Sequence, residues 1–229
     1  MQPETDSLAY DLDEVANATN YNAWVLSRAR PYLSGRVLDF GAGIGTFSQE
    51  LVSVSPQVVA LEPDAELRAQ LVERVPGVQV VDDAARLEGP FDAIISFNVI
   101  EHVPDDEEVL GRLRTLLAPG GTLLVLAPAH PGLYGTLDRA FGHHRRYTVP
   151  GLRALLQRAG LAPVDVRYVN PVGGLGWLVA SRGTRATAIP RRQLRIFDRA
   201  VPVLRTVDRL RLPFGLSVWA VASRTDASS

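Results

Sequence analysis

The chain has no cysteine and no lysine. The first absence excludes disulfides, thiolate catalysis and zinc–thiolate sites together. The second makes all 24 basic residues arginine and leaves no side-chain amine for a Schiff base. No apolar run approaches the roughly 20 residues that span a bilayer. The first residues, MQPETDSLAYDLDE, are acidic and polar, unlike a signal peptide. Neither sign of charge is in excess: 25 acidic residues face the 24 arginines, a net charge of −1. There is thus no global basic field to attract nucleic acid. The expectation is a cytoplasmic protein with no nucleic-acid partner. What is present is 229 residues, 46% hydrophobic and 21% charged, the balance of a soluble domain with a substantial core.

The densest information lies in Arg36 to Phe47, RVLDFGAGIGTF, followed by VVALEPD at Val58 to Asp64. An apolar run enters a loop with glycines at Gly41, Gly43 and Gly45, a helix-like segment follows, and a second apolar run ends in Glu62. Glycine is needed where a strand turns sharply into a helix and backbone must approach a ligand. An acid at the tip of the neighbouring strand can accept from both hydroxyls of a ribose. Dinucleotide folds use G-x-G-x-x-G, whose helix N-terminus receives a pyrophosphate. Here the third glycine comes one residue early, and Asp39 stands two residues before the first. A carboxylate there would repel a pyrophosphate and suits an ammonium group.

Strand-length apolar runs recur at Val37–Phe40, Val58–Leu61, Val78–Val81, Ala93–Phe97 and Thr122–Leu126. Helix-patterned segments alternate with them at Phe47–Val54, Ala65–Val75 and Glu107–Leu117. This alternation predicts a parallel sheet covered by helices on both faces. Pro119-Gly120-Gly121 reads as a turn into the fifth strand. A helix over Val149–Ala159 closes at Gly160, a sixth strand spans Pro163–Tyr168, and Leu216–Ala222 forms the last. The division expected is an N-terminal helical lid segment over 1–35, with Tyr21, Trp24, Leu26 and Tyr32, then one domain over 36–225. That domain carries a helical insertion at about 170–215, and a tail over 226–229 is expected to be disordered.

Asp39-x-Gly41-x-Gly43-x-Gly45 with Glu62 resembles the first two motifs of the class I S-adenosylmethionine-dependent methyltransferases. The resemblance implies a doubly wound, Rossmann-like α/β fold with seven strands, mostly parallel with an antiparallel last strand. It also implies S-adenosylmethionine as cofactor and S-adenosylhomocysteine as product. Carried over by position, Asp39 faces the cofactor ammonium and Glu62 the ribose. Asp83 (or its neighbour Asp82) and the backbone of Ala84 meet the adenine. The run Phe91 to Val103, FDAIISFNVIEHV, looks like the family's fourth-strand motif, which puts Asn98 beside the methionyl part. Glu101-His102 is common in the family, and His102 reads as a brace for the following loop. Leu116 to Gly121 matches the family's turn before strand five.

The acceptor side is less defined. After the fifth strand, residues 130–148 hold His130, His143, His144, Arg145, Arg146, Tyr134 and Tyr147. This segment looks like that of a bacterial small-molecule subgroup with Gly-His-x-Arg-Arg-Tyr after strand five. Histidine can take a proton near neutral pH, so His143 and His144 are the candidate bases. His130, Arg145, Arg146 and Tyr147 are candidate acceptor contacts, since paired arginines suit a carboxylate or phosphate. The alternative is that both arginines brace the loop against Asp138, Asp105 or Asp106 while Tyr147 packs. Tyr21 and Trp24 could wall the pocket or staple the first helix to the core. No metal is expected: His143 and His144 are adjacent, and no carboxylate cluster has ligand spacing.

The reading is methyl transfer to a small-molecule acceptor. Two alternatives stand beside it: an enzyme of the same fold that cleaves the sulfonium internally and releases methylthioadenosine, and a non-catalytic cofactor-binding partner. A monomer or a homodimer fits equally. Within 190–212, Leu194, Phe197, Val201, Leu204, Val207 and Leu210 form a helical stripe amid seven arginines, with Pro202 expected to kink or split it. Such a helix is expected to serve as a lid over the cleft, with a dimer surface or a membrane contact as the alternatives.

Overall fold

The structure is a computed structural model that describes residues 16–178 and 191–224. The residues before Ala16 and the tail over 226–229 lie outside the described part. Strand β1 (Arg36–Phe40) pairs in parallel with β2 (Gln57–Leu61) and with β4 (Phe91–Phe97). β3 (Gln79–Val81) joins β2, and β5 (Leu117–Pro128) joins β4, both parallel. β7 (Ser217–Arg224) runs antiparallel between β5 and β6 (Leu161–Val169). The order is β3-β2-β1-β4-β5-β7-β6, the seven-stranded mixed sheet expected. The chain reverses direction outward at β1, between β2 and β4, and ligands of open α/β sheets bind outside the carboxyl ends of the strands at such a switch.

Each face of the sheet carries its own core. Central strands are covered on both faces, so β4 reads as a continuous apolar run in which only Asp92 is exposed. One face packs on α4 (Asp106–Leu116) and α6 (Val149–Arg158) through Leu110, Leu113, Leu152 and Leu156. The other packs on α1 (Thr19–Ala29) and α8 (Arg191–Val207) through Trp24, Val25, Leu26 and Val201. Between these come α2 (Ser48–Leu51), α3 (Ala65–Arg74), α5 (Thr136–Ala140) and α7 (Pro171–Leu178). Side-chain caps set several starts: Asp64 accepts from Glu66 N and Leu67 N before α3, and Asp105 accepts from Glu108 N before α4.

Three local expectations are corrected. Pro119-Gly120-Gly121 does not precede β5 but lies inside it, where the register against β4 jumps from Phe91–Leu117 to Ala93–Thr122. The three residues bulge out of a strand that already pairs at Leu117. The helix after the glycine loop is only Ser48–Leu51, shorter than its apolar pattern. Pro202 does not split α8, which runs through it. The proline removes one backbone donor on the exposed side. The opposite face stays anchored through Val201 and Asp198, which are buried.

Candidate active site

The glycine loop leaves β1 in left-handed backbone, with φ of +79° at Gly41, +55° at Gly43 and +86° at Gly45. At Gly41 a Cβ would stand 2.5 Å from Val99 Cγ2, so the loop can lie against the segment after β4 only because that position has no side chain. Glu62, at the tip of β2, fixes the loop from the side: Gly43 N donates to its Oε2 at 2.7 Å and Asp64 N to its Oε1 at 2.9 Å. A carboxylate offers about four lone-pair positions, so two remain open. Burial raises the Glu62 carboxyl above its ordinary pKa, and these backbone bonds only partly offset it. Asp39 is buried, accepts from Ser48 Oγ at 2.6 Å, and is pushed up to about 6 by burial, with the nearby Glu62 charge adding to the rise. Two desolvated carboxylates side by side favour a cation between or beside them.

The other expected cofactor residues line the same edge. Asp83 caps the turn after β3, accepting from Ala85 N at 2.8 Å, and Ala84 follows directly. Asp82 is engaged elsewhere, in a 2.6 Å pair with Arg86. Asn98 follows β4 at φ +54°, its N–H donating to Leu126 O at 2.7 Å. An asparagine tolerates this left-handed turn better than most residues.

The segment after β5 forms a buried charged cluster. Asp138, fully buried on α5, is bonded to three groups: His143 Nδ1 at 2.9 Å, Arg146 Nε at 2.6 Å and Gly135 N at 2.9 Å. Burial alone would raise the Asp138 carboxyl, but the bonds from His143 and Arg146 hold it below the ordinary value, so it is ionised. An ionised acceptor requires the proton on His143 Nδ1 and leaves Nε2 free to take another. His144 is different: its side chain is exposed, and its backbone N–H donates to Glu101 O at 2.8 Å. Of the two candidate bases, the geometry holds only His143 by a carboxylate.

Beside this pair lies Glu101, fully buried, with neither carboxylate oxygen hydrogen-bonded. Burial pushes it up to about 8, against an opposing pull from Arg146. The ring of His102 meets His143 edge-on at 4.9 Å between centroids. Ligand atoms of Glu101, His102 and His143 all lie within 4.8 Å of one another, an arrangement able to hold a metal ion. This is not a carboxylate cluster but one carboxylate beside two histidines, and folding brings His143 to His102 across 41 positions of sequence.

The proposed acceptor contacts are corrected in part. Arg146 is buried, bonded to Asp138 and to Ala129 O at 2.9 Å, and stacked under Trp177 of α7 at 4.6 Å. Tyr147 is buried, and its one hydroxyl proton is shared between Asp106 Oδ2 at 2.8 Å and Ile100 O at 3.0 Å. Arg145 reaches Pro104 O at 2.7 Å and Asp106 at 3.0 Å. All three brace the loop from within, the alternative weighed from sequence, because their charges and hydroxyl already have internal partners. Tyr21 and Trp24 pack on each other at 5.6 Å, and Tyr21 lies 6.2 Å from Phe197, which makes them staples of α1 to α8. Trp24 also lines a small apolar cavity with Asn170, Phe197 and Val201. His130 is sandwiched between Tyr168 at 4.4 Å and Phe214 at 4.9 Å, with Nε2 unbonded. Asp138 as the partner of His143, Glu101 as an orphaned acid and Trp177 as the cover of Arg146 were missed from sequence. Only Glu101-His102 carried a signal, as a recurring pair after the fourth strand.

Comparison with known proteins gives consistent likenesses. The family described as Methyltransferase domain matches residues 16–166. A "Ubiquinone biosynthesis O-methyltransferase" of Xanthomonas axonopodis pv. citri is 33% identical over 165 residues, 62% of this chain and 69% of the relative. Counterparts from Xanthomonas campestris pv. campestris are 38% identical but are spanned over only 45% of their length. Among solved structures, an S-adenosylmethionine-dependent methyltransferase from Mesorhizobium loti superposes with a TM-score of 0.61. It is 19% identical, over 89% of this chain and 98% of that one. Phosphoethanolamine N-methyltransferase 2 of Haemonchus contortus, in complex with S-adenosyl-L-methionine, gives 0.60 at 21% identity, over 90% and 53%. At these identities the two structures show the shared fold.

Proposed function

The chain belongs to the methyltransferase domain family, and as an S-adenosylmethionine-dependent methyltransferase of that family it acts, we propose, on a hydroxyl oxygen of a small-molecule acceptor, with His143 taking the proton. The observation that carries this reading is the His143–Asp138 pair at the edge where β4 and β5 end. Support for oxygen as the methylated atom comes from the O-methyltransferases of Xanthomonas to which this chain is similar. The Gly142–Tyr147 segment supports the Gly-His-x-Arg-Arg-Tyr subgroup, with its arginines and tyrosine as braces.

The cofactor residues follow from the fit. Glu62 keeps two lone-pair positions for the ribose hydroxyls, and Asp39 gains the cation that its burial calls for. Asp83 and the backbone of Ala84 receive the adenine, and Asn98 borders the methionyl part. Bound S-adenosylmethionine supplies a methyl already activated by the positive sulfur. Alignment therefore carries much of the rate, and the protein's remaining task is to remove the hydroxyl proton. Asp138 holds the imidazole in the tautomer with Nε2 free and stabilises the imidazolium that forms.

The test is incubation with S-adenosylmethionine and a panel of phenols, catechols and aliphatic alcohols, followed by mass spectrometry. S-adenosylhomocysteine with a methyl ether supports the reading. Methylthioadenosine released without any acceptor, or methylation confined to amines, would sink it.

A further inference from the structure

The family match ends at residue 166, before the insertion between β6 and β7, so α8 needs its own account. Its inner face is engaged with α1. Phe197 packs near Tyr21, Val201 is buried, and Asp198 accepts from Asn20 Nδ2 at 3.0 Å and Tyr21 N at 2.9 Å. Asp208, just beyond, accepts from Asn170 N at 2.8 Å and pairs with Arg28. These are the two acids of residues 191–212, and both are buried. The charge this segment turns outward is therefore entirely positive.

The outer face is not merely basic. Ile196 is 57% exposed, Val203 69% and Leu210 69%. At about 100° per residue, positions seven apart fall within roughly 20° of each other, so Ile196 and Val203 share one line down the helix. Arg192, Arg195 and Arg199 lie on the same outer side, opposite Val201, and all three are exposed. Of the seven large exposed hydrophobics among the described residues, four fall within 191–212. Scattered exposed apolar residues are ordinary; a line of them flanked by arginines is the pattern of a helix lying in a lipid interface.

Other occupants fit less well. A two-fold contact with a second copy would set arginine against arginine with no outward acid to compensate. A nucleic acid would use the arginines but leave the Ile196–Val203 line without a role. Placement agrees with lipid as well. β6 ends and β7 begins at the edge where β5 ends, since Val169 and Pro128 both register with Ser217. The insertion therefore leaves and re-enters the sheet on the edge that holds the glycine loop and His143.

We propose that the outer face of α8 docks the protein on an anionic lipid bilayer, with Ile196 and Val203 entering the interface and the flanking arginines meeting the headgroups. This does not rest on the acceptor assignment, and its test does not read turnover. The full chain is floated with vesicles of phosphatidylcholine alone or with about 30% phosphatidylglycerol, at low salt and at about 0.5 M salt. The expected result is binding to the anionic vesicles only, reversed by salt. Arg195→Glu/Arg199→Glu and Val203→Asp should each weaken it by about tenfold or more, with S-adenosylhomocysteine affinity unchanged as the folding control. Three results would overturn the proposal: no binding to anionic vesicles, equal binding to neutral ones, or undiminished binding by the variants. Self-association lost in Val203→Asp without any vesicle binding would also overturn it, and would give the face to a second copy.

Discussion

Replacing Glu101 by glutamine should change how stability depends on pH more than it changes stability itself. The wild-type carboxyl is fully buried with both oxygens unbonded, and burial pushes it up to about 8 from the 4.5 expected in an unfolded chain. Below 4.5 both states hold the proton and the group is neutral in its effect. Between 4.5 and about 8 the unfolded chain releases the proton while the folded protein keeps it, so stability falls as pH rises. Above about 8 both states are ionised and the slope vanishes. The window spans about 3.5 pH units, and at about 1.4 kcal/mol per unit the ceiling is about 5 kcal/mol. That figure already includes the opposing pull of the nearby Arg146.

Glu101→Gln keeps the shape and removes the titration. Urea unfolding of both proteins at intervals from about pH 5 to about pH 9 gives the difference curve directly. Asp39, itself pushed up to about 6, contributes equally to both proteins and cancels. A chelator must be present, because a cation held by Glu101, His102 and His143 would compete with the proton. The variant should gain on the wild type by several kcal/mol as pH rises to about 8. Parallel curves through that window would refute the argument, and would mean that Glu101 is ionised and paired.

His143→Ala should lower turnover by roughly 10²–10⁴-fold while His144→Ala stays near wild type, since only His143 is held by Asp138. Single-turnover kinetics with saturating cofactor checks this, and equal loss in both variants would remove the base assignment. Glu62→Ala should weaken S-adenosylmethionine binding by about 1–3 kcal/mol through loss of charge-assisted bonds, read by calorimetry. Unchanged affinity would contradict its role. Gly41→Ala forces a Cβ to 2.5 Å from Val99 Cγ2 at φ +79° and should destabilise by about 2 kcal/mol or more in urea, with cofactor binding lost. A stable variant that still binds would show that the loop is not pinned against the segment after β4.

The geometry of the glycine loop and its flanking acids was legible because its information is local. Asp39, Gly41, Gly43, Gly45 and Glu62 fall within 24 residues, and their spacing is set by one strand, one turn and the next strand tip. The acceptor half was not, because its partners come from distant segments. From sequence, Arg146 and Tyr147 stood open between acceptor contact and brace, with Asp138 and Asp106 among the candidate partners. Ala129 O and Ile100 O, which complete their bonding, are backbone groups that a linear pattern cannot align. The insertion shows the same limit from the other side. The helical stripe predicted the inner face at Phe197 and Val201 but not at Leu210, which lies beyond α8 and is exposed; the exposure of Ile196 and Val203 and the burial of both acids needed the packed structure.

The two halves are joined by the stretch after β4. Val99 lies against the backbone of Gly41, so that stretch sets how close the glycine loop can stand. Two residues later, Glu101 O accepts from His144 N, and Ile100 O accepts from the Tyr147 hydroxyl. The segment that carries His143 is thus tied to the same three residues, Val99 to Glu101, of which Val99 abuts the glycine loop. Asp138 completes the link by holding His143 and Arg146 at once. Because Arg146 is buried with Asp138 as its acidic partner, removing that carboxylate would strand a charge in the interior, which typically destabilises by about 3–5 kcal/mol. The network is therefore a structural one first. Arg146 and Tyr147 position the loop, and the acid that anchors Arg146 also orients the His143 ring beside Glu101 and His102.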